Sequence, residues 1–483
     1  MQPQIRKVGF ALLGAFLLVF GMLNYVQIFA AESIASNGFN KRRILREYSI
    51  RRGDILTLDG VTIAQSAETG GQYKYERRYP GGSLYGHLTG FYSILYGKTR
   101  IESSYDDDLL GDTGVLTMQD IEDNLFDSQE HGHDVRLTIN SELQELAREQ
   151  LGDNRGAVVA MDPASGEVRA LWSNPSFDPG PLASFDDRTQ KEGKRAFDDS
   201  IPIATQKGYP PGSTLKVITA AAALESGEYE PNARFPDPVE LDLPLTDQTL
   251  TNFTKTSCAG GGTIDLFTAL EVSCDTTFAI LGLRLHDELR AMSERMGFNG
   301  AIPFDVATEA SSFPEVDDDN APFRAYAGIG QGDVVATPLQ MALVAATVAN
   351  DGAAPRPRLV REVIDRSGAI VERFAPETLD EAMSSETADE VTEMMVAVVE
   401  SGTGTNARIE GVDVAGKTGT AQSAEGAAPH AWFIAFAPAN DPKIAVSVIV
   451  ENGGSAGAEA TGGLVAAPIA RAVIEEHRRI EGW

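Results

Sequence analysis

The sequence predicts an α+β domain around an antiparallel sheet, preceded by a membrane-spanning helix and a small strand-rich module. Three observations carry this. Strand–turn–strand patterns open and close the segment 155–480, with Ala/Leu-rich helices between them. An uncharged apolar run lies near the N-terminus. Short β-type runs with turn signals fill the interval between the two.

The apolar run Val8 to Ala31 reads VGFALLGAFLLVFGMLNYVQIFAA. As a helix it reaches about 36 Å, more than the roughly 30 Å hydrocarbon core. It is longer than the apolar part of a signal peptide, and Phe29-Ala30-Ala31 is a poor cleavage site. We therefore expect a cytoplasmic tail over 1–7, an uncleaved transmembrane signal anchor over 8–31, and the rest of the chain outside the cell membrane. Arg6 and Lys7 precede the run, but Lys41, Arg42, Arg43 and Arg46 follow it and weaken the charge asymmetry. A long following domain translocates regardless of that bias.

The module 32–150 contains the basic stretch KRRILREYSIRRGD, read as a solvated face, and DILTLDGVTIA, in which Asp59-Gly60 signals a hairpin. From Arg155 the pattern changes. GAVVAMDPASGEVRALWS reads as strand, turn and strand. STLKVITAAAALESG is a helix stopped by Gly227, and TPLQMALVAATVANDG a helix stopped by Gly352. HAWFIAFAPANDPKIAVSVIVEN is a hairpin with an Asn-Asp-Pro turn, and LVAAPIARAVIEEHRRI closes the chain as a helix.

The 483 residues hold 70 Asp plus Glu against 40 Lys plus Arg, a net charge of −30. That excludes a chain-wide phosphate-binding surface, so no nucleic-acid partner is expected. Two cysteines, Cys258 and Cys274, exclude a disulfide-rich scaffold and a four-thiolate zinc site. Outside the cytosol the two can oxidise, and a bridge closing that loop stabilises by about 3 kcal/mol. Two buried thiols remain the alternative, because spacing alone does not show that the Cα atoms approach. His131-Gly132-His133 reads as a loop and His430 as a strand residue, so no metal site is expected.

Three segments can do chemistry. In Tyr209-Pro210-Pro211-Gly212-Ser213-Thr214-Leu215-Lys216 the Pro-Pro-Gly turn leads into a helix that puts Ser213 and Lys216 on one face. A lysine whose ammonium is disfavoured by burial can activate a serine hydroxyl, and helix N-terminal N–H groups can hold an oxyanion. Alone, Ser-x-x-Lys is merely an N-terminal serine and a solvated lysine. Lys417-Thr418-Gly419-Thr420 reads as an exposed edge strand that an extended peptide can join. There Gly419 admits the substrate backbone, Lys417 and Thr418 bind a carboxylate, and the Thr420 N–H is a second oxyanion donor. Alone it is a polar strand end, and its spacing fails the phosphate-loop pattern. Between these lies Glu271-Val272-Ser273-Cys274-Asp275, either a proton relay through Ser273 or a helix N-cap.

In this order, Ser213-x-x-Lys216, Ser273-x-Asp275 and Lys417-Thr418-Gly419 resemble the three active-site motifs of penicillin-binding proteins and serine β-lactamases. GIGQGDVVATPLQMA and SGTGTNARIEGVDVAGKTGTAQ are similar too. The anchor and RRGDILTLDGVTIA resemble class B, monofunctional members, and the Ser-Cys-Asp block resembles the A-type branch of actinobacteria. The resemblance implies a transpeptidase domain over 155–480, with helices on both sheet faces and an all-helical insert. It also implies that 32–150 is a pedestal or dimerisation-like module. It implies a peptidoglycan D,D-transpeptidase that uses Ser213 as nucleophile, Lys216 as base, and Ser273 and Lys417 as proton carriers. Asp275, Thr418, Gly419 and Thr420 would bind substrate. Stem peptides, β-lactams, the membrane and a polytopic glycosyltransferase of the shape, elongation, division and sporulation type are the implied partners, with no cofactor. The family's middle motif usually ends in Asn. Asp275, when ionised, only accepts hydrogen bonds and would bind a lysine strongly.

Overall fold

A computed structural model describes residues 2–26, 45–111, 131–317, 319–421 and 427–483. Gln2–Asn24 is one continuous helix. Its span Gln4–Asn24 is long and apolar enough to cross a membrane, and none of it is buried against protein. The last residues of the expected anchor, 27–31, lie outside the described residues, as do Lys41, Arg42 and Arg43.

Ile55–Leu56 and Thr62–Glu68 pair antiparallel across the Asp59-Gly60 turn, where Gly60 takes φ 86°. Tyr75–Arg78 extends that sheet on one side and Asp134–Leu137 on the other. Val360–Ile364 and Ile370–Arg373, more than two hundred residues downstream, complete it to six strands. Short helices, Ile101–Ser104 and Asp106–Leu110, sit between these strands.

The basic stretch departs from a solvated face at Arg52, which is 2% exposed. Its Nε lies 2.7 Å from Glu102 Oε2 and its Nη1 2.6 Å from Asp106 Oδ1. Arg77 Nε lies 2.6 Å from Glu102 Oε1. A buried charge survives only when paired, and here one carboxylate serves two guanidinium groups. Burial pushes the Glu102 carboxyl up, and Arg77 and Arg52 outweigh it, leaving Glu102 below its ordinary value.

The second sheet has five antiparallel strands in the order Ala415–Ala421, His430–Ala437, Ile444–Val450, Gly156–Met161, Val168–Asn174. The strands that open and close the domain therefore meet at the middle of the sheet. Their apolar runs are continuous because both faces are covered. Along 156–161, Val158 and Ala160 enter one core, while Ala157, Val159 and Met161 enter the other. Ser141–Leu151 and Ala467–Glu481 cover the first face. Pro338–Ala349 and Ser385–Glu400 cover the second, with the buried helix Lys216–Glu225 packed among the helices behind them.

Candidate active site

Ser213 sits in the 3₁₀ turn Gly212–Leu215, immediately before the buried helix Lys216–Glu225. Gly212 makes the turn possible. Its φ is 53°, and its N–H donates to the Gly330 carbonyl at 2.8 Å. Tyr209 pairs with Ala336 in both directions, so the GIGQGDVVAT segment clamps the turn from behind. On the sheet side, Trp432 Nε1 donates to the Pro210 carbonyl at 3.1 Å.

The Ala415–Ala421 strand is the outer strand of its sheet, but it is not exposed as expected. Lys417 is 0% exposed and Thr418 6%. The nucleophile turn lies on it. A Cβ on Gly419 would meet Thr214 Cγ2 at 2.8 Å and the Pro211 carbonyl oxygen at 2.9 Å. Gly419 thus lets the Ser213 turn pack directly on the strand.

Ser273 ends the helix Leu266–Glu271 in a left-handed conformation, φ 60°, and Cys274 caps the helix Asp275–Arg284. A side-chain-bearing residue held there is under strain of the kind that marks functional sites. The bend aims Ser273 at both lysines. Lys417 Nζ lies 2.9 Å from Ser273 Oγ, and Lys216 Nζ lies 3.4 Å from the same atom. Lys216 Nζ also donates to the Ser273 carbonyl at 2.8 Å and to Asp275 Oδ1 at 2.7 Å. The other Asp275 oxygen accepts from the Phe253 N–H at 3.0 Å. Lys216 is held at the Ser273 turn by these bonds, and no hydrogen bond joins it to Ser213. Among the described residues, the Ser213 hydroxyl has no hydrogen-bond partner.

Burial lowers the Lys216 ammonium below its ordinary value, and Asp275 opposes it. Lys417 is held well below its ordinary value, first by burial and then by the Lys216 charge, with Asp275 opposing. Ser213, Ser273, Asp275, Thr418 and Thr420 line one cleft of about 860 Å³, with both lysines beneath it. Cys258 and Cys274 form a disulfide, Cα–Cα 5.7 Å, which ties the Ser273 bend to the cleft wall. Asp237 lies beside the two sulfurs, but its oxygens accept N–H bonds from Cys258, Ala259 and Gly261, so neither thiolates nor a free carboxylate remain for a metal.

The chain matches the family model of the penicillin binding protein transpeptidase domain over residues 156–475. Residues 52–135 match the penicillin binding protein A dimerisation domain. A relative named peptidoglycan D,D-transpeptidase PbpA, from Mycolicibacterium smegmatis, is 40% identical over 491 residues, 98% of each chain. The chain belongs to the penicillin-binding protein transpeptidase family. Within it, PbpA of Mycobacterium tuberculosis is 36% identical over 490 residues, covering 98% of this chain and 99% of the relative. The ceftriaxone acyl-enzyme of M. tuberculosis penicillin-binding protein A superposes with a TM-score of 0.84 at 36% identity, covering 89% of this chain and 99% of that one. Its penicillin G acyl-enzyme gives 0.82 at 36% identity, covering 89% and 100%.

Two parts of this penicillin-binding protein's site escape sequence reasoning. Thr403, in the SGTG turn, shares a 2.6 Å hydrogen bond with Thr418 Oγ1 and lines the cleft. Its position just upstream of the Lys-Thr-Gly segment was the only signal. Glu451, 7% exposed, accepts from Tyr209 Oη at 2.5 Å, Lys207 Nζ at 3.0 Å and Arg155 Nε at 3.1 Å, anchoring the start of the nucleophile turn. No local pattern links those four residues.

Proposed function

We infer that this chain is a serine-type peptidoglycan D,D-transpeptidase that cross-links stem peptides through a Ser213 acyl-enzyme and is acylated by β-lactams. The observation that carries this reading is the meeting of three distant segments. Ser273 and Lys417 are 144 residues apart in sequence and 2.9 Å apart in space, in the cleft that holds Ser213. Ser213 Oγ attacks the carbonyl between the two terminal D-alanines of a donor stem peptide. Its proton passes into the Ser273–Lys216–Lys417 group and leaves with the departing D-alanine amine. The Ser213 and Thr420 N–H groups face the developing oxyanion, and losing one such donor costs about 10²–10³ in rate. Thr418 and the Lys417 charge favour the substrate carboxylate. An amine of a neighbouring stem peptide then resolves the ester, whereas water would release a trimmed peptide.

The first helix anchors the chain, with its N-terminus inside and the catalytic domain outside. Its length and apolarity support that, and the Cys258–Cys274 disulfide fits an oxidising compartment. Residues 32–150 form a pedestal module and 155–480 the transpeptidase domain, the latter supported by the span of the family match. A membrane glycosyltransferase of the shape, elongation, division and sporulation type supplies the glycan strand. The test of the catalytic reading is covalent labelling by a fluorescent penicillin. Wild type should label and Ser213→Ala should not; labelling that survives the substitution refutes the assignment.

A further inference from the structure

The cleft that holds Ser213 is lined almost wholly by neutral groups. Among the residues facing it, Asp275 is the carboxylate and Lys255 the cation, and the rest are uncharged. Asp275 is already engaged by Lys216 and by the Phe253 N–H. Lys216 and Lys417 lie beneath the cleft, each 0% exposed, so neither is open to a ligand still in solvent. Lys255 is exposed, and among the described residues its ammonium makes no ion pair or hydrogen bond.

The turn that carries Lys255 is firmly held. The Lys255 N–H donates to the Asn252 carbonyl at 2.8 Å, and Lys255 takes a left-handed conformation, φ 56°. A lysine held there is strained, and such strain persists only where the surroundings impose it. Three links fasten the turn to residues 274–276, beside the Ser273 bend. The Asn252 side chain accepts from the Thr276 N–H at 3.0 Å, and it also donates to the Thr256 carbonyl at 2.9 Å. The Phe253 N–H donates to Asp275 Oδ2 at 3.0 Å. The Cys258–Cys274 disulfide closes the far end. The backbone under Lys255 is therefore fixed relative to the Ser273 bend.

A peptide ending in D-alanine and a penicillin both carry a carboxylate, and both must approach a chain of net charge −30. A negative protein repels such ligands, and a cation lining the cleft reverses the sign locally. We propose that Lys255 captures the carboxylate of the incoming acyl donor, so that anionic donors reach Ser213 faster and bind it more tightly before the covalent step. This deepens the reading of Ser213 as nucleophile and rests on it. Lys255 forms no covalent bond and moves no proton. Its effect grows with the negative charge of the donor. It fades with salt, because exposed charges are screened within about 8 Å at physiological ionic strength.

The test follows acylation of the full-length protein in non-ionic detergent by rapid quench and intact mass, with three penicillins of different charge. Carbenicillin carries a second carboxylate and benzylpenicillin one. Ampicillin in slightly acid buffer carries an ammonium that cancels its carboxylate. At low salt Lys255→Gln should lower the second-order constant about tenfold for carbenicillin, about threefold for benzylpenicillin and less than about twofold for ampicillin. The loss should fall on pre-covalent affinity rather than on the acylation constant, and Lys255→Arg should recover it. Lys255→Glu should exaggerate the same order. In about 1 M salt, where the Debye length is near 3 Å, wild type and Lys255→Gln should converge. Equal losses for the three penicillins, a loss confined to the acylation constant, or no loss at all overturns the proposal. A wild type that none of the three acylates would instead refute the reading of Ser213, so the two failures are distinguishable.

Discussion

Gly419→Ala separates two uses of a glycine beside a nucleophile. The added Cβ would stand 2.8 Å from Thr214 Cγ2, 2.9 Å from the Pro211 carbonyl oxygen and 3.0 Å from Trp432 Cβ. Ordinary contact between such atoms needs about 3.5–4.0 Å, so strand and turn must part by roughly 0.5–1 Å. Neither side yields easily. Thr214 Oγ1 donates to the Pro211 carbonyl at 2.7 Å, and Trp432 lies in the centre of its hairpin, tied to Pro210. Overpacking of this kind costs about 1–3 kcal/mol, or roughly 2–12 °C in melting temperature for a domain of this size. The larger effect falls on catalysis, because a displacement near 1 Å can cost about 10²-fold. Stopped-flow acylation by a labelled penicillin separates pre-covalent affinity from the acylation constant. The acylation constant should fall about 10²-fold with affinity little changed. A variant with an intact acylation constant and weakened affinity would show that Gly419 admits substrate, and would refute the packing argument.

Glu102→Ala should destabilise by about 3–5 kcal/mol, because it strands the buried Arg52 and Arg77; thermal melting reads this. Glu102 is held below its ordinary value, so its contribution is present above the unfolded carboxylate range and lost as pH falls through the folded value. The melting difference between wild type and Glu102→Gln should accordingly shrink in acid. Cys258→Ser opens a loop of 16-residue separation and should cost about 3 kcal/mol, checked by melting with and without reductant. Glu451→Gln removes the charge that gathers Tyr209, Lys207 and Arg155, and should cost about 1–3 kcal/mol in melting while slowing acylation.

What the sequence made legible follows the range of the forces involved. The strands at 156–161, 168–174, 430–437 and 444–450, and the helices after Ser213 and Pro338, rest on periodicity and turn residues a few positions apart, and they stand where expected. The three motifs likewise meet in one cleft. Contacts across long separations were silent. Nothing near Arg52 announced that Glu102, fifty residues on, would bury it. Nothing in 360–373 announced that those strands would complete the N-terminal sheet. The burial of the Lys417 strand also escaped, because an edge strand reads as open unless the covering turn is known.

The most telling of these silences concerns charge, not shape. Read as text, Asp275 is one substitution in a familiar pattern, and Lys216 and Lys417 are two similar cations. Only their burial turns the trio into a constraint. In water three such groups would all ionise and interact by about 1 kcal/mol at contact distance. Beneath the cleft, each unpaired charge costs several times that, so the number of carboxylates fixes the number of ammonium groups. Asp275 pairs with Lys216 at 2.7 Å, while Lys417 meets the neutral Ser273 hydroxyl and Thr418 carbonyl. A single side-chain oxygen in place of an amide nitrogen thus gives one of two buried lysines a charge partner that an amide could not supply.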